Sequence, residues 1–146
     1  MPVVVYADYN CMQRSCDDQR QARIRHETET CHQVFADAEI GVVDLVWSFM
    51  HDDENRACPF PDRRLEVLQI AAICRIQIGP AEYIRKMAID FQRKSALSAK
   101  DAVHLACAMA SQAEWFLTCD DDLIRKGRRL KLDIKIANPT EYISKR

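Results

Sequence analysis

Val3-Val4-Val5-Tyr6-Ala7-Asp8 is an unbroken β-branched and aromatic run that ends in an acid. Such a run leaves no polar face for water, so it suits a strand covered on both sides, as in a parallel sheet. An acid that closes an apolar strand is costly to bury without a charged partner or an ion. Asp8 is therefore both the end of the first strand and the first candidate for chemistry.

Working outward, residues 19–39 lack Pro and Gly, and Ile24, Thr28, Cys31, Val34, Phe35 and Ala38 recur at helical spacing. Gly41 stops this helix. The run Val42 to Trp47 reads as a second strand, and Ser48 as the N-cap of a helix through Ala57. Pro59 and Pro61 break that helix. A new one begins at Asp62, with Leu65, Leu68, Ala72 and Ile76 along one face. Ile76-Gln77-Ile78 forms a short strand before the Gly79-Pro80 breaker. Ile84, Met87, Ala88 and Phe91 mark the next helix. Ser98 opens another that is apolar nearly all round, through Ala102, Val103, Leu105, Ala106 and Cys107. Trp115 to Thr118 is a third clear strand, followed by a helix from Asp120 to about Arg129, a strand from Asp133 to Ala137 and a Pro139-Thr140 turn. Strands that alternate with helices imply an α/β fold, three layers deep, with a central parallel sheet of four or five strands. No repeat or linker divides residues 1–146, so one domain is expected.

Composition narrows the class. Of the 146 residues, 48% are hydrophobic and 29% charged, which is ordinary for a globular chain. No apolar run approaches the roughly 20 residues of a membrane helix, and Met1-Pro2-Val3 lacks a signal peptide's basic flank. A cytoplasmic protein is expected. The seven cysteines contain no C-x-x-C pair, which argues against structural zinc and for reduced, mostly buried thiols. A net charge of −1 does not advertise a nucleic-acid binder.

Ligands of open parallel sheets bind beyond the carboxyl ends of the strands. Asp8 and Asp120 both follow strands, Asp101 lies in a helix's first turn, and Glu54 lies late in the helix after the second strand. Each has a plainer role available. Ser98 and Asp101 spell a capping box, Asp120 suits a helix N-terminus, and Glu54 competes with Asp53 for the inward position.

The order of these pieces resembles the PIN-domain family. Val5-Tyr6-Ala7-Asp8-Tyr9-Asn10 resembles its opening strand-Asp-x-Asn element, and Asp101-Ala102-Val103-His104-Leu105-Ala106 its "DAxHLA" helix. Phe116-Leu117-Thr118-Cys119-Asp120 is similar to its strand-Thr-x-Asp element, and Trp47-Ser48 followed by Glu54-Asn55 matches the place of its helical Glu. The resemblance spans nearly the whole chain. It implies a Rossmann-like fold and a ribonuclease that hydrolyses single-stranded RNA with Mg²⁺ or Mn²⁺ held by Asp8, Glu54, Asp101 and Asp120. It also implies an antitoxin partner, since many small members are toxins of toxin–antitoxin pairs, and a homodimer.

Oxygen ligands suit hard cations and disfavour zinc. A bound ion polarises a phosphate oxygen and lowers the pKa of a water that attacks phosphorus. Asn10, Ser48 and Thr118 are candidates to orient the acids or a water. Arg14, with Arg125, Lys126 and Arg128 of the basic run after Asp120, is a candidate phosphate contact; the run's plainer role is to cap a helix C-terminus. His104 and His51 read as packed helix histidines rather than bases. A phosphatase of the Asp-x-Asp type is disfavoured because position 10 is Asn. A non-catalytic PIN-type RNA-binding or regulatory module remains the alternative, although all four acid positions are filled.

Overall fold

The computed structural model describes residues 1–146. Five strands form one sheet: β1 (Val3–Ala7), β2 (Val43–Ser48), β3 (Ile76–Ile78), β4 (Trp115–Leu117) and β5 (Lys135–Ala137), in the order β3-β2-β1-β4-β5. Every neighbouring pair is parallel. In register, Val5 pairs with Leu45 on one side and Trp115 on the other. The strand order reverses between β1 and β4, the position where open α/β sheets bind their ligands.

The period of two in each strand feeds two cores. Val5, Ala7, Leu45, Trp47, Trp115 and Leu117 point to the first, while Tyr6, Val46, Phe116 and Ile136 point to the second. The first face is covered by α2 (Ala22–Glu39), α4 (Pro61–Ala71) and α8 (Pro139–Lys145). The second is covered by α5 (Glu82–Lys94), α6 (Ala99–Ala110) and α7 (Asp121–Arg128). The layers are therefore helix, sheet and helix, as the alternation of elements required. Two further helices, α1 (Tyr9–Met12) and α3 (Phe49–Ala57), begin directly at the carboxyl ends of β1 and β2. No helix is long and apolar enough to cross a membrane.

Four local expectations need correction. The long helix starts at Ala22, not Gln19. Residues 9–12 and 14–16 form short helical turns that their mixed composition did not betray. The chain after Asn138 is a helix rather than a turn: Pro139 fills the first helical position, where a missing N–H does no harm, and the Asn138 side chain caps the Thr140 amide at 2.9 Å. Finally, α4 buries Val67 and Ile70, while Leu65 and Leu68 are exposed. This helix carries two apolar stripes, and periodicity alone does not choose between them.

Glu27 is buried in α2 and ties several elements together. It accepts from Arg14 at 2.8 Å, Arg23 at 3.3 Å and Asn138 at 2.5 Å. Burial pushes its carboxyl up, but the bonds from Asn138 and Arg14 outweigh this and hold it below the usual range. A lowered carboxylate pKa adds stability above the unfolded value, and that stability is lost as pH falls through the folded value. Glu27→Gln is therefore expected to cost about 2 kcal/mol at neutral pH. Urea unfolding should show the gap from wild type closing in acid.

Candidate active site

The site draws on the ends of β1 and β4, on α3 after β2 and on α6, which precedes β4. Asp8 leaves β1 and caps α1, with Oδ1 accepting from the Tyr9 amide at 2.7 Å. Its Oδ2 accepts from Thr118 Oγ1 at 2.8 Å and Asn10 Nδ2 at 3.1 Å. Asn10 also donates to Thr118 Oγ1 at 3.0 Å and accepts from the Cys119 amide at 3.1 Å. This ring of bonds crosses the topological switch and fixes the Asp8 carboxylate between β1 and β4. Asn10 and Thr118 thus sit against Asp8.

Glu54 reaches the same point from α3. Its Oε1 bonds His104 Nε2, and His104 Nε2 lies 3.9 Å from Asp8 Oδ1. Oxygens of Asp8 and Glu54 and a ring nitrogen of His104 all fall within 4.8 Å of one another. Asp53 is exposed, so Glu54 is the inward acid of the pair. Asp101 and Asp120 lie outside this close group and are coupled to it through their charges. The Asp101 charge raises Asp8, and the Asp120 charge raises Asp101.

The electrostatics are those of crowded acids. Burial pushes the Asp8 carboxyl above its ordinary range, and Glu54 and Asp101 add to that, while His104 and Thr118 pull it back. Asp101 is raised by burial and then by Asp120, against Ser98, His104 and Lys100. Like charges held this close favour protonation or a bound cation.

The plainer roles are met only in part. The Ser98 hydroxyl accepts from the Asp101 amide at 3.1 Å, a backbone bond that leaves the Asp101 carboxylate free of helix capping. Asp120 does cap α7, through Oδ1 to the amides of Asp122 at 2.9 Å and Leu123 at 3.2 Å. Ser48 is fully buried behind the acids. It bonds the Tyr6 hydroxyl at 2.8 Å, and Tyr6 in turn bonds His104 Nδ1 at 2.6 Å. The cations are mostly occupied. Arg14 turns its guanidinium to Glu27 and Asp17. Arg125 and Lys126 pair with Asp122, and Arg128 with Glu141.

His104 and Tyr6 are the site residues that sequence reasoning passed over. His104 is packed on all sides, as a core histidine would be, yet its ring spans from Tyr6 to Glu54. The available signal was spacing. His104 lies one turn from Asp101 on α6, and Tyr6 shares a strand face with Asp8. His51, by contrast, is structural. It accepts from the Ser48 amide at 2.9 Å and bonds the Ala7 carbonyl at 2.8 Å, and burial with neighbouring His104 pushes it down to about 3.

A doubly wound parallel sheet with clustered carboxylates at its switch point defines an α/β protein with an acidic, cation-attracting site. The PIN domain family model matches residues 30–129, more than half of the chain, and the protein belongs to that family, whose members are generally nucleases. The match takes in Glu54, Asp101, His104 and Asp120; Asp8 lies before it and joins them through the sheet topology. Among solved structures, the chain is similar to one in the crystal structure of VapBC2 from Rickettsia felis bound to a DNA fragment from its promoter. That likeness has a TM-score of 0.57 at 12% identity and covers 93% of this chain and 98% of the other. At that identity it speaks for the fold. No curated protein matches the sequence.

Proposed function

We propose that this protein is a Mg²⁺- or Mn²⁺-dependent endoribonuclease that hydrolyses phosphodiester bonds of single-stranded RNA, acting in the cytoplasm as the toxin of a toxin–antitoxin pair. The observation that carries the reading is the meeting of Asp8 and Glu54, from separate elements, with the Asp101 charge acting on Asp8 and the Asp120 charge on Asp101. The donor set fits the ion. An ionised Glu54 can only accept, so His104 Nε2 carries the proton between them. That leaves an all-oxygen set, which suits a hard cation. Asp8, Glu54, Asp101 and Asp120 would hold it, and it would supply charge to a phosphate oxygen and acidity to a water.

The chain's own groups do the positioning. Thr118 and Asn10 orient Asp8, and the buried run Ser48-Tyr6-His104 orients Glu54. Beside Glu54 lies a groove of about 510 Å³ whose lining includes Tyr9, Phe60, Arg63 and Lys100. Exposed Phe60 offers a face for an unstacked base, and Lys100, which pairs with Glu54 at 3.6 Å, brings a positive charge beside it, the combination that sequence-tolerant single-strand binders use. The toxin–antitoxin reading rests on the family together with the VapBC2 neighbour, and the homodimer is carried over from the family resemblance.

Purified protein should cleave single-stranded RNA in Mg²⁺ or Mn²⁺, leave 5′-phosphate ends and fall silent in EDTA. Cleavage that persists in chelator would overturn metal dependence. Inactivity despite calorimetric Mn²⁺ binding would favour the non-catalytic module.

A further inference from the structure

The first core holds a pair of groups that the acid site does not use. Cys11 on α1 and Cys119 between β4 and α7 bring their sulfurs to 3.9 Å. Cys31 of α2 belongs to the same buried cluster, and all seven cysteines are free thiols. Both backbones are held in place. The Cys119 amide donates to Asn10 Oδ1 at 3.1 Å, its carbonyl accepts from Arg23 at 3.2 Å, and the Cys11 amide donates to the Asp8 carbonyl at 3.0 Å. A cavity of about 240 Å³ between α2 and α4 is lined by Cys11 and Cys31, which gives a molecule little larger than water a way in.

We propose that Cys11 and Cys119 are an oxidisable pair that a peroxide closes into a reversible disulfide beneath the acid site. Only a modest movement separates the thiols from a bond. Bringing the sulfurs from 3.9 Å to the roughly 2.05 Å of a disulfide takes a closure of about 1.9 Å. In the first step one sulfur attacks a peroxide oxygen, the O–O bond breaks, and the departing oxygen leaves as water after taking up the thiol's proton. In the second, the other thiol's sulfur attacks the sulfenic sulfur, and its proton leaves with that oxygen as a second water. Two thiols are oxidised by two electrons and one peroxide is reduced to two waters.

The position gives the bridge a consequence. Cys11 follows Asn10 directly, and Cys119 stands between Thr118 and Asp120. Drawing the two together displaces the Asn10–Cys119 bond and with it the ring that fixes Asp8. This last step rests on the nuclease reading, whereas the bridge itself does not.

The test uses the full reduced chain, treated with hydrogen peroxide, quenched with N-ethylmaleimide and peptide-mapped by mass spectrometry. Free thiols should fall from seven to five. One new cross-linked peptide should join Cys11 to Cys119, and dithiothreitol should release it. Cys11→Ser should lose the cross-link; circular dichroism checks its fold, and the wild-type map stands without it. Oxygen added to one cysteine without a bridge, a bridge between other cysteines, or no loss of thiols while the urea-unfolded chain reacts, would each overturn the proposal. Full cleavage by the bridged protein would overturn its regulatory part. Absence of cleavage in the reduced protein would count against the nuclease reading and leave the mapped bridge standing.

Discussion

Asp8→Asn is expected to lower RNA cleavage on the order of a thousandfold while the protein stays folded. A principal ligand to a catalytic ion carries several kcal/mol of transition-state stabilisation, and each 1.36 kcal/mol is tenfold in rate. The substitution nearly preserves shape. Its amide oxygen can replace Oδ2 as acceptor for Thr118 and Asn10, but its NH₂ then meets the Tyr9 amide, which Oδ1 now accepts. That mismatch costs about 1–2 kcal/mol. Removing a buried carboxylate whose pKa is raised offsets part of it. Thr118→Val makes the useful comparison, because it keeps the acid and removes one bond that orients it. Its loss should be smaller, about 10- to 100-fold. Single-turnover cleavage beside thermal melting separates the two. Equal losses in both variants, or an Asp8→Asn protein with near-normal cleavage, would remove Asp8 from the centre of the site.

The sheet was legible because its signal is redundant. Val5 to Ala7 and Trp115 to Leu117 are buried runs within strands bounded by breakers or acids, and any slip in register would bring wrong residues to both cores at once. The helix faces were less so. In α4 the Leu65–Leu68 stripe looks as apolar as the Val67–Ile70 stripe, and only the position of the sheet decides which is buried. Glu27 could not be read at all. A glutamate in an amphipathic helix belongs to the solvated face by default, and its partners Arg14 and Asn138 lie 13 and 111 positions away.

The acids were legible as motif pieces, but their partners were not. Nothing local in sequence says that Asp101 spares its carboxylate from capping while Asp120 spends one oxygen on it. Nor does sequence say that Arg14 is held by Glu27 and Asp17. Bonds between distant side chains depend on the last few ångströms of packing, which periodicity does not encode.

Asp101→Asn should separate an acid kept for chemistry from one kept for the helix. Its raised pKa means that the folded state prefers it protonated, so above the unfolded carboxylate value the charge costs stability in the metal-free protein. The sign follows. At neutral pH the variant should melt at or above wild type without metal, and the difference should shrink as pH falls below the raised value and vanish below the unfolded value, where the wild-type carboxyl is neutral in both states. The N-cap bond survives in the variant because it uses the Asp101 amide. Added Mg²⁺ should stabilise wild type by about 2.7 kcal/mol at a hundred times its Kd, and the variant by much less. Cleavage by the variant should fall on the order of a thousandfold, as for Asp8→Asn. If Asp101 instead serves the helix, the variant loses about 1 kcal/mol at every pH and keeps the full Mg²⁺ response. Four melting curves, for two proteins with and without Mg²⁺, distinguish these patterns. A lower metal-free melting point with an unchanged Mg²⁺ shift would mean that Asp101 holds α6 and binds no ion.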